Sequence, residues 1–229
     1  MKKVLVPLVA IVLSGSMPAL AITNVKTRVA APSRAKGTVE EVVVRSEATT
    51  RVVDWIAATG DNRSLPYAVV DKNAAQVFLF DAKGKYVAHA PVLIGIAVGD
   101  DATPGVGKKS LAEIGPAEKT TPAGRFLAKF GLAAGKQQVL WVDYTTSVAM
   151  HPIPTGNPKE RRRARMLSPA VDDNRITFGC INIPQTFYNK GVRPLFLRKG
   201  GYVYVLPDTK SLEEVFPPLR VQPFLRVAS

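Results

Sequence analysis

The chain has 229 residues, of which 31 are lysine or arginine and 18 are aspartate or glutamate, so its formal net charge is +13. This length suits one domain with a good hydrophobic core, and the single cysteine excludes any disulfide within the chain. The strong positive charge favours anionic surroundings such as wall polymers, lipid headgroups or acidic substrates.

The N-terminus has the layout of a secretory signal peptide over residues 1–21. Lys2 and Lys3 precede a short apolar stretch, and Ala19 and Ala21 provide an A-x-A cleavage site. The apolar stretch is about half the length that a membrane-spanning helix needs, which argues against a transmembrane anchor. We therefore expect an exported, periplasmic protein without stable membrane insertion after cleavage, and export excludes nucleic acid as a partner.

The next segments predict a mainly β domain. Residues 22–60 are predicted to form an N-terminal linker with a short helix at 48–58, closed by Gly60. Segments rich in β-branched and aromatic residues then predict strands at 67–71, 75–81, 86–95, 137–144, 147–153 and 201–207. Many short strands with turn residues between them favour a sandwich or barrel over residues 61–207.

The remaining segments are less regular. A Gly/Pro-rich stretch at 95–126 contains "GVGKKS", but Ala102 stands where a phosphate-binding loop needs its first glycine. Pro184 predicts the start of a helix that continues to about Lys190 and ends at Gly191. Residues 208–229 are proline-rich and are predicted to be an extended tail.

The only cysteine, Cys180, lies in "RITFGCINIPQ", where a predicted strand runs into a turn. An unpaired cysteine in an exported protein is an intermolecular partner, a reactive thiol or an inert buried side chain. Gly179 allows a backbone conformation that exposes the thiol and directs N–H groups, those of Gly179 and Cys180, toward a developing oxyanion.

A thiol nucleophile needs a base, because the pKa of a free thiol is about 8.5. The chain has two histidines. His89 lies in the middle of a predicted strand and is expected to have no catalytic role. His151 lies at the end of the strand "SVAMHPI", beside loop residues, and is the better candidate base.

Three motifs in order resemble the L,D-transpeptidase catalytic domain (the YkuD-like family) over roughly residues 66–206. "TFGCIN" at 177–182 is similar to the family's Ser/Thr-His-Gly-Cys-hydrophobic-Asn/Arg signature, and His151 matches its upstream histidine. "TTPAGRF" at 120–126 resembles a second family motif that lies on a strand, and "YAVVDKNAAQVFLFDAKGKYVAHAPVLIG" resembles the first strands.

Two features depart from the family pattern. Phe178 stands where the family usually has a histidine before Gly-Cys. His151 and Cys180 are separated by 28 residues, about ten more than the common spacing, and the excess reads as an inserted surface loop.

The resemblance implies a β-sandwich of mixed strands with short helices, and acyl transfer on peptidoglycan stem peptides without metal or organic cofactor. It implies these roles: Cys180 as nucleophile, His151 as base, Pro152 as the carbonyl that orients the imidazole, Gly179 and Thr177 as oxyanion and positioning residues, and Asn182 and Arg175 as substrate-binding residues. The oligomeric state stays open.

Two alternatives to a transpeptidase remain. One is an L,D-carboxypeptidase or endopeptidase of the same fold, in which water takes the acyl group. The other is a catalytically degenerate wall-binding protein, which Phe178 and the basic charge motivate. The basic run Lys159, Arg161, Arg162, Arg163 and Arg165 in the insertion is either a solvated face or a set of cations that binds substrate carboxylates and lowers the thiol pKa.

Overall fold

The computed structural model describes residues 44–220. The predicted signal peptide and most of the predicted linker lie outside the described residues, as do the last nine residues of the chain. Within 44–220, no helix is both long enough and apolar enough to cross a bilayer.

The first element is helix α1, Glu47–Thr59. The Ser46 side chain caps its start by accepting a hydrogen bond from the Thr49 N–H. Gly60 ends it with a φ of 67°, and its N–H bonds to the Ile56 carbonyl. This confirms the predicted helix and its glycine stop.

The described residues contain ten strands: β1 Tyr67–Asp71, β2 Gln76–Phe80, β3 Tyr86–Pro91, β4 Ile94–Gly95, β5 Gly124–Leu132, β6 Gln138–Asp143, β7 Val148–Pro152, β8 Arg175–Thr177, β9 Ile181–Ile183 and β10 Gly201–Val205. Eight of them form one mixed sheet in the order β3-β2-β1-β10-β5-β6-β7-β9, and β4 pairs with β8. The predicted strand at 86–95 is therefore two strands in different sheets, because pairing with β2 ends at Pro91 and Leu93 bridges Asn182 instead.

Strand β5 joins the two halves of the large sheet. Its first part, Gly124–Ala128, pairs with β10, and its second part, Lys129–Leu132, pairs with β6. Buried side chains from both halves, including Val70 and Leu79 on one side and Met150 and Ile183 on the other, share one core. Such packing of two sheet halves is a sandwich. The mainly β fold of mixed strands with short helices is confirmed.

A second core covers the other face of β1, β2 and β10. Helix α1 contributes Trp55 and Ile56, and the C-terminal segment contributes Leu212, Phe216 and Leu219. The extended tail predicted from residue 208 is wrong for the described part of it: Leu212–Val215 is a helix, capped by Ser211 and Glu214. Burial of apolar side chains against α1 orders this segment despite its prolines.

The helix after β9 continues past its predicted end. It comprises Gln185–Phe187, a π-helical turn at Tyr188–Val192, and Arg193–Phe196. Gly191 does not stop it, because it does not adopt the positive φ of a helix-ending glycine. A Cβ there would lie 2.9 Å from Leu79 Cδ1. The glycine serves close packing of the helix on β2.

The inserted segment between β7 and β8 is ordered and helical in part. Asn157 caps a 3₁₀ turn at Pro158–Glu160, as its sequence suggests, and a one-turn helix, α2, follows at Arg162–Met166. In α2 only Met166 is buried, which fastens the insertion to the domain.

A buried ion cluster joins four distant segments of the chain. The Lys72 ammonium contacts Asp100 Oδ1 at 2.9 Å, Asp208 Oδ2 at 3.2 Å, and the carbonyls of Gly99 and Thr121 at 2.6 and 2.9 Å. The Lys72 side chain is 0% exposed and both carboxylates are 1% exposed. The cluster fixes the loop after β4 against the C-terminal end of the domain.

Candidate active site

The pairing of β7 with β9 brings His151 and Cys180 to one face of the sheet. These parallel strands place His151 opposite Asn182, and Met150 opposite Ile181 in the core. Cys180 directly precedes β9, and strand alternation puts it on the same face as Asn182. In ideal strands about 4.8 Å apart, with about 3.3 Å of rise per residue, Cα atoms in this diagonal relation lie about 8 Å apart. Their side chains can meet across this distance.

The imidazole of His151 is held at both nitrogens. Its Nδ1 lies 2.8 Å from the Pro152 carbonyl oxygen, and its Nε2 lies 3.2 Å from Asn182 Nδ2. A carbonyl only accepts and an amide nitrogen only donates. The proton therefore resides on Nδ1, and Nε2 keeps the lone pair that a base needs.

The pKa of His151 is lowered below its ordinary value. Burial is the main cause, the hydrogen bond to the Pro152 carbonyl opposes it, and the positive charge of Arg162 lowers the pKa further. At neutral pH the ring is uncharged and able to accept a proton.

The sulfur of Cys180 lies against the backbone that leads into β7. Sγ is 3.7 Å from the Ser147 carbonyl oxygen. Burial raises the pKa of the thiol, while the Ala149 N–H and the charge of Arg162 act in the opposite direction. In the resting site both the thiol and the imidazole are therefore neutral. The thiol must then lose its proton to a base as it attacks a substrate.

Thr177 builds the turn that presents the sulfur. Its hydroxyl donates to the Cys180 carbonyl at 2.6 Å and accepts from the Gly179 N–H at 3.1 Å. The Gly179 N–H, predicted as an oxyanion donor, is thus already bonded within the turn. Among residues 44–220 no acceptor lies within hydrogen-bond distance of the Cys180 N–H, which leaves that group as the candidate donor.

The motif at 120–126 supports this turn from below. Thr121 Oγ1 donates to the Gly179 carbonyl and accepts from the Gly95 N–H, both at 2.8 Å. Gly179 has a φ of 121°, and a Cβ there would lie 2.6 Å from the Thr120 carbonyl oxygen. Only glycine fits this position, because both the conformation and the contact exclude a side chain.

Arg175 lies in the buried ion cluster rather than in an open substrate cleft. Its guanidinium donates to Asp208 Oδ1 at 2.8 Å, and its side chain is 10% exposed. Asp208 also binds Lys72. This placement favours a structural role for Arg175, in place of the substrate contact that the sequence suggested.

A cavity of about 190 Å³ opens beside the sulfur. Its walls come from the loop after β4, the turn between β6 and β7, and the nucleophile turn, with mostly apolar contacts from Val106, Ile114, Val148 and Phe178. Phe178, at the position of the family's extra histidine, is 36% exposed, and Lys119 Nζ stands 3.9 Å above its ring centroid. Phe178 thus forms an apolar wall of the cavity where the family motif would place a proton donor.

Sequence reasoning missed two residues that shape the site. Lys72 follows a strand in "VVDKN" without any sign that its ammonium is buried. Arg162 was only one of five cations in a basic run, but it alone reaches the site: its Nη1 donates to Asn182 Oδ1 at 2.7 Å. In the described part of the chain, His, Cys, Asp and Glu side chains form no group of three that could hold a metal ion.

Comparisons with known proteins find similarity in structure only. No family model and no curated protein sequence matches the chain. The solved structures similar to it include an L,D-transpeptidase (residues 123–326) from Xylanimonas cellulosilytica, with 11% identity, a TM-score of 0.36 and coverage of 62% of this chain and 60% of that one. The catalytic domain of the Enterococcus faecium L,D-transpeptidase has 18% identity and a TM-score of 0.35, with 61% and 95% covered.

A third similar structure is the helical cell shape determining protein Pgp2 of Campylobacter jejuni, solved as a K307A mutant. It has 14% identity, a TM-score of 0.42 and coverage of 72% of this chain and 58% of that one. The matched region thus covers less than two thirds of the Xylanimonas and Campylobacter chains. At these identities and TM-scores, the similarities assign neither a family nor an activity to the chain.

Proposed function

We propose that this chain is a peptidoglycan L,D-transpeptidase with Cys180 as nucleophile and His151 as general base. The observation that carries the proposal is the pairing of β7 with β9, which puts an imidazole unprotonated at Nε2 on the same sheet face as the only thiol of the chain. The sequence resemblance of residues 177–182 and 120–126 supplies the substrate class, and the net charge of +13 suits an anionic wall.

The first half-reaction forms a thioester. The Cys180 side chain turns from the Ser147 carbonyl toward Nε2, where it replaces the Asn182 amide. As Sγ attacks the carbonyl carbon at the L-centre of a tetrapeptide stem, the S–H proton passes to Nε2. The Cys180 N–H stabilises the oxyanion. The C–N bond then breaks, and the terminal D-alanine leaves with the proton returned by the imidazolium.

The second half-reaction releases the acyl group. The side-chain amine of a second stem attacks the thioester and gives its proton to Nε2. The C–S bond breaks, and the proton returns to the sulfur, so that the thiol and the neutral imidazole are regenerated. The Pro152 carbonyl and the buried surroundings of His151 suit this cycle, because the carbonyl favours the tautomer protonated at Nδ1 and burial keeps the ring uncharged at neutral pH.

Purified protein should be incubated with disaccharide-tetrapeptide muropeptides, with product analysis by mass spectrometry. We expect cross-linked dimers, release of D-alanine, and a muropeptide acyl adduct on Cys180. Incubation with a carbapenem should give a separate acyl adduct on the same residue. Cys180→Ala and His151→Gln should each abolish turnover and retain the fold. His89→Gln is the matched control, since His89 lies on β3 and contacts Tyr86 instead.

Three results would contradict the proposal. Tripeptide products without dimers would indicate a hydrolase, in which water replaces the acceptor amine. Absence of any adduct on Cys180 would favour a degenerate wall-binding protein. Full activity in Cys180→Ala would remove the nucleophile from the mechanism. The assigned compartment, the periplasm, follows from the signal-peptide pattern at residues 1–21 and is tested by fractionation of cells that express the full chain.

A further inference from the structure

One cation of the insertion is directed inward. Arg162 begins α2, and its side chain is only 13% exposed. Its Nε donates to Glu160 Oε2 at 2.5 Å, and its Nη1 donates to Asn182 Oδ1 at 2.7 Å. By contrast, Lys159, Arg161 and Arg163 are exposed. The planar guanidinium thus joins the inserted segment to β9 beside the candidate base.

The donors and acceptors in this contact admit one arrangement. A guanidinium has only donors, so the amide oxygen of Asn182 must face Arg162. The amide nitrogen then faces His151 Nε2, at 3.2 Å, and donates to it. Nε2 must therefore carry no proton, and the ring proton is placed on Nδ1, opposite the Pro152 carbonyl. Because the arginine can only donate, it fixes the donor and the acceptor in each hydrogen bond from Arg162 through Asn182 to His151.

We propose that Arg162 is a positioning residue which, through Asn182, adds to the Pro152 carbonyl in holding His151 in the tautomer whose Nε2 carries the lone pair. Its value for catalysis rests on the proposed function, because a base with its lone pair on Nε2 matters only if Cys180 attacks a substrate. The insertion of this chain is then part of the catalytic machinery rather than a solvated loop. Asn182, expected from the sequence to bind substrate, would thus also orient the candidate base.

The charge of Arg162 acts on the same two groups. It lowers the pKa of both His151 and Cys180. The other charged groups near the site are the pair Lys109 and Glu118 in the cavity wall, whose bond is 2.6 Å, and Lys119 above Phe178. Glu160 is already bonded to Arg162. Among residues 44–220, Arg162 is the only cation with a hydrogen bond to Asn182, so its loss removes this contact without a substitute.

The experiment compares Arg162→Gln and Arg162→Lys with Arg163→Gln, an exposed control on the same helix. The first readout is the ¹⁵N NMR spectrum of the full chain without substrate, which reports the tautomer and pKa of His151. The second is the pH dependence of Cys180 alkylation by iodoacetamide. The third is kcat and KM with muropeptides. These constants are also measured for Asn182→Ala and for the double variant that combines Arg162→Gln with Asn182→Ala.

We expect wild type to have the proton on Nδ1, and Arg162→Gln to have a mixture of tautomers. Removing the cation should raise the pKa of both groups, so the alkylation profile should move to higher pH, with about a threefold to tenfold lower rate at pH 7. Arg162→Lys should keep the pKa of both groups near the wild-type values but not the single tautomer of His151. The reason is that an ammonium lacks the planar set of N–H donors with which the guanidinium bonds Glu160 and Asn182 at once. Arg163→Gln should match wild type.

The kinetic effect should fall on kcat rather than KM, and the double variant should resemble Asn182→Ala within about twofold. An unchanged tautomer and alkylation profile in Arg162→Gln would overturn the inference, as would fully additive losses in the double variant. The NMR and alkylation measurements need no substrate. Wild-type protein without transpeptidase activity would therefore overturn the proposed function, while the tautomer result alone decides whether Arg162 positions His151.

Discussion

Replacing Lys72 with methionine should lower the free energy of unfolding by about 3–5 kcal/mol. Methionine keeps most of the volume of the buried side chain, so the change removes the ammonium without opening a large cavity. The ammonium contacts two carboxylates and two backbone carbonyls, and its side chain is 0% exposed. Its loss leaves buried negative charge that water cannot reach.

The magnitude follows from what remains in the cluster. Asp208 keeps the Arg175 guanidinium and the Gly99 N–H. Asp100 keeps N–H donors from Asp208, Thr209 and Lys210. The two carbonyls lose a donor, which costs about 1–3 kcal/mol for each buried group left unsatisfied, and the two carboxylates lose a shared cation. The sum falls in the range measured for a broken buried ion pair.

Urea denaturation at pH 7 measures this loss, and Lys210→Met is the matched control. Lys210 pairs with Asp101 at 2.6 Å, but the two side chains are 40% and 77% exposed, so we expect a change below about 1 kcal/mol. The pH dependence adds a second check. Burial opposes ionisation of Asp100, but its backbone donors and Lys72 together hold its pKa well below the usual range.

Because that pKa is depressed, the stabilisation is present above the unfolded value of about 3.9 and is lost as pH falls. The difference between wild type and Lys72→Met should therefore narrow as pH falls below about 4, because carboxylates that have lost the ammonium accept protons before Asp100 of wild type, whose pKa is depressed. A loss under 1 kcal/mol at pH 7, or a difference that widens in acid, would refute the role assigned to this ion cluster.

Three further predictions concern the nucleophile turn, the base and the C-terminal segment. Gly179→Ala should cost about 2 kcal/mol or more by chemical denaturation and suppress Cys180 alkylation, because its Cβ would meet the Thr120 carbonyl at 2.6 Å; Gly156→Ala, which has open space, is the control, and equal effects would contradict the close contact. The depressed pKa of His151 means that the unfolded chain binds its proton more readily, so stability should fall as pH falls below about 6.5, and His151→Gln should lose that part of the slope. Phe216→Ala should destabilise the protein by about 3–5 kcal/mol, since Phe216 is 2% exposed in the second core; a change near zero would mean that the C-terminal segment does not pack there.

The sequence predicted much of the local structure. Ser46 and Gly60 bound a helix because capping depends on neighbours within one turn, and the β-branched segments at 67–71 and 201–207 form strands for a similar local reason. The glycine of the nucleophile turn was also correctly recognised as a special backbone position. The contact of His151 with the Pro152 carbonyl was implied by the resemblance of the sequence motifs, and the structure has it at 2.8 Å.

Errors occurred where a distant contact overrides a local signal. Gly191 normally ends a helix, but here Leu79 packs against it and the helix continues. Prolines after residue 208 suggest an extended tail, but Leu212, Phe216 and Leu219 are buried against α1. The sequence predicted that the Gly179 N–H would be available to an oxyanion. In the structure it instead donates to the Thr177 hydroxyl.

The sequence by itself determined which residue types were available for chemistry: one thiol, one histidine at a strand end, and a glycine turn after a predicted strand. Only the tertiary structure decided that Arg162 reaches Asn182, that Arg175 joins a buried ion cluster, and that Lys72 supports the loop under the nucleophile turn. Periodicity and caps report on neighbours a few residues apart, whereas these contacts join residues 20 to 49 positions apart through sheet pairing and loop packing, which no local pattern encodes.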